Sequence, residues 1–537
     1  MSCCCGILQQ IRSPRPGRRR PSQFVSKQIR HRLLSKRKSD TQDIHSLLLY
    51  PDPGRRLDQC YESPVPLGHG GFGQVFRMRH QLSGETRAIK VIQKPSCEEH
   101  MQMISNEVCA LLQLDHPNIA RMFEYFEARE AIYLVTELCT GGNLGELDPQ
   151  VDDPNEIRLL FRDVLRAIAY CHSEGIAHRD LKFENCLLTA CDERPLRRMA
   201  KVIDFGLACF KQAEVADGWM HEVVGTLFFS APEVLRSHDP LHGYGLECDL
   251  WSLGVMIFIV LTNEHPYCSS ACSADDAYAR ISKGTLRSSY LLQAGELAIE
   301  AMGLIQNLLI KDPLNRCTAA EALMHPWLQP EKAKAIAPGE ISPKSETLKI
   351  LIEQILSFSR FPRFEKAVLT VAAHEAPRKD VEELTSFFSA LDPTQAGWIS
   401  RSDFQHILDA SSVCLSKMEL EEVLDALDPD ADGKIQETDF LAATLKPSYV
   451  KSQKACKELF NWFDFKGTGR ITHEDLVQVL GQDMACHVAL QANANAEGFI
   501  SKEGFRAFIL KAIDKLELHM DHDRIVGGND GLQMKMP

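Results

Sequence analysis

The chain has no apolar run long enough to cross a bilayer. The longest, near Leu250 to Leu261, stops far short of the roughly 20 residues a span needs, and it reads as a buried core helix. No secretory signal peptide opens the chain, and no two cysteines stand at C-x-x-C metal spacing. Its 18 cysteines therefore read as reduced thiols of a cytosolic protein rather than as disulfides. Position 2 is Ser2, not the glycine that N-myristoylation requires. From Cys209 to Gly225 there is no Ser, Thr or Tyr, which argues against a phosphorylation switch within that stretch.

What is present is enough for two or three domains: 537 residues, 44% hydrophobic. The net charge of −13 is unevenly spread. Of the 60 Lys and Arg, eleven fall in residues 1–40 beside a single acid, Asp40; the other 49 face 72 of the 73 acidic residues. A basic arm on an acidic body suggests an anionic surface as the arm's partner and no nucleic acid. Cys3, Cys4 and Cys5 beside the basic patch from Arg12 to Arg32 suit S-palmitoylation, which would make the protein cytoplasmic and membrane-associated. A disordered basic tail with incidental cysteines is the equal alternative.

The chemistry-bearing residues concentrate in His178-Arg179-Asp180-Leu181-Lys182-Phe183-Glu184-Asn185, which holds a carboxylate, an ammonium and an amide within eight residues. It follows apolar residues at Ile157, Leu160, Phe161, Val164, Leu165 and Ile168, the spacing of one helix face. Upstream, Leu67-Gly68-His69-Gly70-Gly71-Phe72-Gly73-Gln74-Val75 is a loop whose glycines let backbone approach phosphate oxygens. A strand-like run, Gln74–Met78, follows it, where a dinucleotide-binding turn would have a helix. Period-two alternation puts Ala88 and Lys90 on one face of the next strand, under that loop. Ile104, Val108, Leu111 and Leu112 make a helical stripe with Glu107 at its edge. Downstream stand Val202-Ile203-Asp204-Phe205-Gly206, Ala231-Pro232-Glu233 and Asp249-Leu250-Trp251.

In that order and spacing these motifs resemble a complete eukaryotic protein kinase over residues 61–328, nearest the calcium/calmodulin-kinase group. The resemblance implies a bilobal fold and Ser/Thr phosphorylation of proteins with ATP. Asp180 would orient and deprotonate the hydroxyl and Lys182 would steady the phosphoryl group. Lys90, paired with Glu107, would hold the phosphates, and Asn185 with Asp204 would bind Mg²⁺. Residues 67–75 and Ala88 would cover the nucleotide, with Thr136 bordering adenine and Glu137 and Cys139 offering backbone groups to it. Arg316 is the expected partner of Glu233. Two departures stand out: Phe183 replaces the usual proline, and Asn143 the frequent glutamate. Glu146 and Glu184 remain, so a basic residue upstream of the acceptor is expected. Glu214, Asp217 or Glu222 would either give Arg179 a standing negative charge or be plain surface acids.

Residues 329–380 read as a linker and junction helix. Leu348, Leu351, Ile352, Ile355 and Leu356 form a stripe that could cover the substrate cleft, enter an EF-hand groove, or simply pack. Over residues 381–518 a repeat appears. Gly397, Gly433, Gly469 and Gly498, spaced 36, 36 and 29 apart, each follow Asp392, Asp428, Asp464 or Asn493 by five residues. Each precedes Ile399, Ile435, Ile471 or Ile500 by two. This is the EF-hand loop frame. The second loop is best equipped for Ca²⁺, with Asp428, Asp430, Asp432, the Lys434 carbonyl and Asp439. The first has Ala396 at position 5, the third Lys466 at position 3, and the fourth ends in Gly504. The last position is never Glu but Asp403, Asp439 or Asp475, one methylene short for bidentate Ca²⁺ coordination. The assembly resembles the calcium-dependent protein kinases of plants and protists, an α+β chain of bilobal kinase domain and all-α calmodulin-like domain. The alternative is a calcium-insensitive kinase whose EF-hand domain is structural or docks partners. Residues 1–60 and 519–537 are expected to be disordered.

Overall fold

The computed structural model describes residues 56–70, 73–95, 98–189, 198–210, 219–237, 243–268, 272–283, 285–329, 346–392, 397–411, 415–429, 431–445, 447–464, 468–480, 485 and 499–511. The basic arm with Cys3 to Cys5, Gly71, Phe72, Glu214, Asp217, Ala396, Asp430, Lys466, Asn493, Gly498 and the C-terminal tail lie outside the described residues.

Alternation of apolar and polar residues builds β1 (Tyr61–Gly70), β2 (Gly73–His80), β3 (Thr86–Gln93), β4 (Met122–Glu127) and β5 (Ala131–Thr136). They form one antiparallel sheet in the order β1-β2-β3-β5-β4. One face buries Phe76, Met78, Ile89, Tyr133 and Val135. Because side chains alternate, Ala88 and Lys90 of β3 point to the opposite face. Helix α1 (Glu98–Gln113) lies there, with Ile104, Val108, Leu111 and Leu112 in the core.

The second lobe is helical. Helix α2 (Pro154–Ser173) starts at Asp153, whose side chain accepts from Asn155 N, with proline at the first helical position. Its stripe from Ile157 to Ile168 is fully buried. Burial is worth about 1.5–3 kcal/mol per large apolar side chain. That far exceeds the few tenths by which isoleucine, valine and phenylalanine disfavour a helix. Helix α3 (Cys248–Thr262) is buried nearly all round, as its apolar run implied, and α4 (Glu296–Leu308) packs on it. Two short antiparallel pairs frame the loop 178–185: β6 (Ile176–Ala177) with β9 (Cys209–Phe210), and β7 (Cys186–Leu188) with β8 (Ala200–Val202).

The last third is helical apart from two small ladders. It comprises α5 (Glu346–Ser359), α6 (Arg363–Glu375), α7 (Arg378–Leu391), β10 (Ile399–Ser400), α8 (Arg401–Ala410), α9 (Lys417–Leu427), β11 (Lys434–Ile435), α10 (Glu437–Thr444), α11 (Gln453–Phe463), β12 (Ile471–Thr472), α12 (His473–Leu480) and β13 (Phe499–Ile500). Ile399 pairs with Ile435 and Ile471 with Ile500, so the loops associate two by two. Of the placements open to the 346–359 stripe, the structure has the EF-hand groove. Leu348, Leu351, Ile352 and Ile355 are buried, and α5 packs on α9 and α10. The cleft between the first two lobes is not its main contact, because a stripe this apolar finds its complement among the equally apolar loop-flanking helices. The chain is α+β overall. Among the described residues the eleven cysteines are free thiols, and no helix is long and apolar enough to cross a membrane.

Candidate active site

Lys90 projects from β3 between two carboxylates, its Nζ donating to Glu107 Oε1 and Asp204 Oδ1, each at 2.6 Å. Glu107 is not at the edge of its helix: at 2% exposure it is buried, because α1 turns that face onto the sheet. Burial pushes the Lys90 ammonium toward losing its proton, but the two carboxylates outweigh it and hold its pKa above the ordinary value. Burial likewise raises Asp204, yet Lys90 more than reverses it and keeps that carboxyl low. Burial dominates at Glu107 and raises it despite Lys90. The pair is thus an ammonium poised against Asp204, with Glu107 bracing it from behind.

Asp204 leaves β8 with φ of 62°, a left-handed conformation that asparagine and aspartate tolerate better than most residues. Phe205 behind it is fully buried against the His178 ring, centroids 4.9 Å apart, and a His178 ring nitrogen bonds Ile203 O at 3.0 Å. Ile203 N donates to Asn185 O at 2.9 Å, which ties the Asp204 strand to the loop 178–185.

On that loop Asp180 gathers three donors. Lys182 Nζ lies 2.7 Å from Oδ2, Thr226 Oγ1 donates to Oδ1 at 2.8 Å, and Asn185 Nδ2 reaches Oδ2 at 3.2 Å and the Asp180 carbonyl at 2.8 Å. The amide nitrogen of Asn185 is therefore engaged with Asp180, leaving its oxygen as the donor atom toward a cation. That oxygen and the Asp204 carboxylate are the hard oxygen ligands Mg²⁺ takes, few in number as it prefers. The donor set fits.

Two residues here carry roles that the sequence did not assign: Thr226, and Asp249 of the Asp249-Leu250-Trp251 motif. Thr226 is the first hydroxyl after the stretch that lacks them, a signal that was available. Asp249 is the one carboxylate in α3, and it accepts His178 N and Arg179 N at 2.9 Å each and pairs with the His172 ring at 3.0 Å. It holds Arg179 at φ of 66°. Burial would raise its carboxyl, but the His172 hydrogen bond and the backbone donors leave it below the ordinary range.

Arg179 donates to Leu207 O at 2.6 Å and to Glu222 Oε2 at 3.1 Å. Of the three acids considered for this role, Glu222 is the one among the described residues, and it meets the arginine. Phe183, in place of the usual proline, packs edge-on against Phe229 with centroids 5.5 Å apart. Asn143 caps the turn 144–146 and donates to Glu146 Oε1 at 2.6 Å, which orients that glutamate. Arg316 is buried and bidentate to Glu233 at 2.6 and 3.0 Å.

The nucleotide-side residues are placed as follows. A Cβ at Gly73 would lie 2.0 Å from Val91 O, so only glycine fits there; Gln74 and Leu67 are exposed and Val75 half-buried. Ala88 stands opposite Thr136 in the β3–β5 register. Glu137 N donates to Arg121 O at 2.8 Å, and its carboxylate pairs with Lys201 at 2.8 Å. Cys139 is half-buried on the segment that joins the lobes.

In the second EF-hand loop Asp428 accepts Asp432 N and Gly433 N, both at 3.1 Å, and Asp432 accepts Lys434 N at 2.8 Å. Burial raises the Asp432 carboxyl against the lowering effect of Lys434, with Asp428 adding repulsion. Asp439 is buried at the start of α10. Among the described residues no three His, Cys, Asp or Glu side chains are gathered as a metal site, so Asp428, Asp432 and Asp439 do not converge on one point here.

A family model described as "Protein kinase domain" matches residues 61–328, and one described as "EF-hand domain pair" matches 381–445. The chain is 33% identical over 296 residues to serine/threonine-protein kinase 33 of Mus musculus, covering 54% of this chain and 59% of that one. It is 29% identical over 355 residues to calcium-dependent protein kinase 5 of Plasmodium berghei, covering 65% and 59%. Calcium-dependent protein kinase 12 of Arabidopsis thaliana is 30% identical over 365 residues, covering 67% and 69%. The chain thus spans about three fifths of the first two relatives' own length.

Proposed function

Because the chain belongs to the calcium-dependent protein kinases, a protein kinase domain followed by EF-hands, we propose that it transfers the ATP γ-phosphoryl group to Ser or Thr hydroxyls of proteins. The observation that carries this is the pair of constellations joined by the Ile203–Asn185 bond: Lys90 with Glu107 and Asp204 on one side, Asp180 with Lys182, Thr226 and Asn185 on the other. In the reaction Asp180 orients the acceptor hydroxyl and takes its proton, while the Lys182 ammonium, already beside Asp180, offsets charge on the transferring group. Lys90 leaves Asp204 to hold the α- and β-phosphates, and Glu107 keeps it aimed. The Glu137 carbonyl and the Cys139 N–H meet adenine, under the loop 67–75. Mg²⁺, when bound by Asn185 and Asp204, neutralises the triphosphate. Catalysis is then mostly positioning and electrostatic stabilisation.

Calcium control is assigned to the second loop, Asp428, Asp430, Asp432, the Lys434 carbonyl and Asp439. The loop backbone folded around Asp428 and Asp432 supports this, with the amides of 432, 433 and 434 donating to them; aspartate at the last position predicts modest Ca²⁺ preference over Mg²⁺. Glu146 and Glu184 select substrates with a basic residue upstream of the acceptor, and Cys3, Cys4 and Cys5 with the basic arm bring a cytoplasmic enzyme to a membrane surface. A second reading is favoured by one observation: the second loop's flanks are held by the kinase domain, Lys434 by Glu174 and Thr438 N by Asp115. In that reading the EF-hand domain is a calcium-insensitive brace.

The test is phosphate transfer to a basic Ser/Thr peptide, with Asp204→Ala as control, in calcium and in chelator. Activity lost in Asp204→Ala and dependent on calcium supports the first reading. Equal activity with and without calcium selects the second, and retained transfer in Asp204→Ala sinks both.

A further inference from the structure

The end of α6 is finished by the kinase domain. The helix stops at Glu375, and Ala376 leaves the helical region with φ of −59° and ψ of 131°, so the last carbonyls lose their partners along the helix. Arg121, the residue before β4, supplies them: its Nη1 donates to Ala373 O at 3.2 Å and to His374 O at 3.0 Å. A guanidinium there also meets the negative end of the helix dipole. Its Nη2 lies 3.9 Å from Oε2 of Glu437, a buried carboxylate of α10 whose other oxygen accepts from Thr385 of α7 at 2.6 Å. One side chain of the sheet lobe thus holds two helices of the EF-hand region.

The main chain of the same residue is tied to the segment that joins the lobes. Glu137 N donates to Arg121 O at 2.8 Å, and Arg121 N reaches Glu137 Oε2 at 3.4 Å. Lys201 Nζ holds that oxygen at 2.8 Å. Arg121 therefore stands between α6, which its side chain grips, and Glu137, which its backbone grips. A second anchor keeps the helix from rocking about the first. Glu375 Oε2 accepts from Arg87 Nη2 at 2.7 Å; this arginine is buried, donates to the Tyr61 hydroxyl at 3.0 Å and lies 3.9 Å from the Phe123 ring centroid. Burial would raise the Glu375 carboxyl, but Arg87 more than reverses it and keeps the pair charged. Arg87 and Ala88 are consecutive on β3 and face opposite sides of the sheet, one toward α6 and the other toward the nucleotide side.

We infer that Arg121 is a positioning residue for the nucleotide: held by the last carbonyls of α6 and by Glu437, it fixes the Glu137 backbone, so that docking of the EF-hand region tightens ATP binding. A backbone group that contacts a ligand has to be held within about 0.5 Å of its productive place, and here the hold reaches back to the regulatory helix. That helix then acts on the nucleotide from outside the segment joining the lobes, and not on access of the protein substrate. The inference rests on the assignment of the Glu137 carbonyl to adenine. Coupling of this kind is reciprocal, so nucleotide in turn tightens the docking of α6.

The experiment is calorimetric titration of the full chain with Mg·ADP, beside steady-state phosphate transfer and hydrogen–deuterium exchange, with urea unfolding to show that each variant is folded. Arg121→Ala is expected to weaken Mg·ADP about fivefold or more and to raise KM for ATP by the same factor. Its kcat and its KM for peptide stay within about twofold of wild type. Arg121→Lys, which keeps a cation at the helix end, is expected to recover most of the loss. Exchange at amides 373–376 slows with Mg·ADP in wild type and not in Arg121→Ala. Glu375→Gln loosens the same helix end without touching Glu137; it is expected to weaken Mg·ADP about threefold and stands in where Arg121→Ala does not fold. Wild-type affinity for Mg·ADP in the folded variants, or a loss in kcat or peptide KM with KM for ATP unmoved, would overturn the inference. A wild-type chain that binds no Mg·ADP would remove the kinase reading itself, and this inference with it.

Discussion

Replacing Asp249 by asparagine tests whether one buried carboxylate sets the catalytic loop. The carboxylate meets three N–H groups, His178 N, Arg179 N and the His172 ring, at 2.9–3.0 Å, and its side chain is 1% exposed. Asparagine keeps one acceptor oxygen and turns an NH₂ toward at least one of those donors. Each hydrogen bond to a charged group is worth about 1.5–3 kcal/mol. The left-handed backbone of Arg179, φ 66°, costs about 1–2 kcal/mol to hold. Loss of a single bond is therefore as large as the strain it restrains, and the loop that carries Asp180 relaxes. If that loss falls wholly on the transition state, kcat drops about 10- to 150-fold at 1.36 kcal/mol per decade. KM for ATP changes little, because Lys90, Glu107 and the segment 136–139 are untouched. The assay is steady-state phosphate transfer under conditions where urea unfolding shows both proteins folded. A kcat within threefold of wild type would refute the reasoning. The carboxyl titrates below its ordinary value of 3.8. Its contribution to stability is thus complete above that value and is lost as pH falls through the lower folded pKa, an acid limb that Asp249→Asn should abolish.

Glu222→Gln removes an ion pair whose carboxylate is 71% exposed; exposed pairs are worth about 0–1 kcal/mol, so activity should fall no more than about fivefold, and less at high salt. Arg316→Ala leaves the largely covered Glu233 without its bidentate partner and should cost about 3–5 kcal/mol in chemical denaturation, with Glu233→Gln in the same background recovering part of it. Glu458, raised by burial and by Glu375 to about 7, favours the folded state when protonated. That stability is present at acid pH and lost as pH rises through about 7. Glu458→Gln should raise stability at pH 8 by about 1–3 kcal/mol, read as a higher thermal midpoint, and flatten the pH dependence between the ordinary value of 4.5 and about 7.

Local chemistry was legible wherever a residue's role follows from its neighbours in the chain. Alternation along β3 put Ala88 and Lys90 on one face, and the stripe from Ile157 to Ile168 declared α2, because burial periodicity is a property of consecutive residues. The spacing of Gly397, Gly433 and Gly469 behind Asp392, Asp428 and Asp464 likewise declared loops, since each aspartate bonds the amide of its own glycine. The burial of Glu107 was not legible, because it depends on how α1 is turned against the sheet. Asp249 gave a weak signal, a lone carboxylate in an apolar helix, whose meaning lies in two backbone amides some 70 residues upstream.

By itself the amino-acid order determined which segments carry phosphate-handling, proton-accepting and cation-binding groups, since these are short-range patterns of side-chain chemistry. Only the tertiary arrangement decided which charges meet. Arg179 found Glu222, α5 settled among the EF-hand helices, and Asp392 came to rest beside Arg166. An ion pair's worth depends on separation and burial, and contacts across 43 or more than 200 residues leave no periodic trace along the chain.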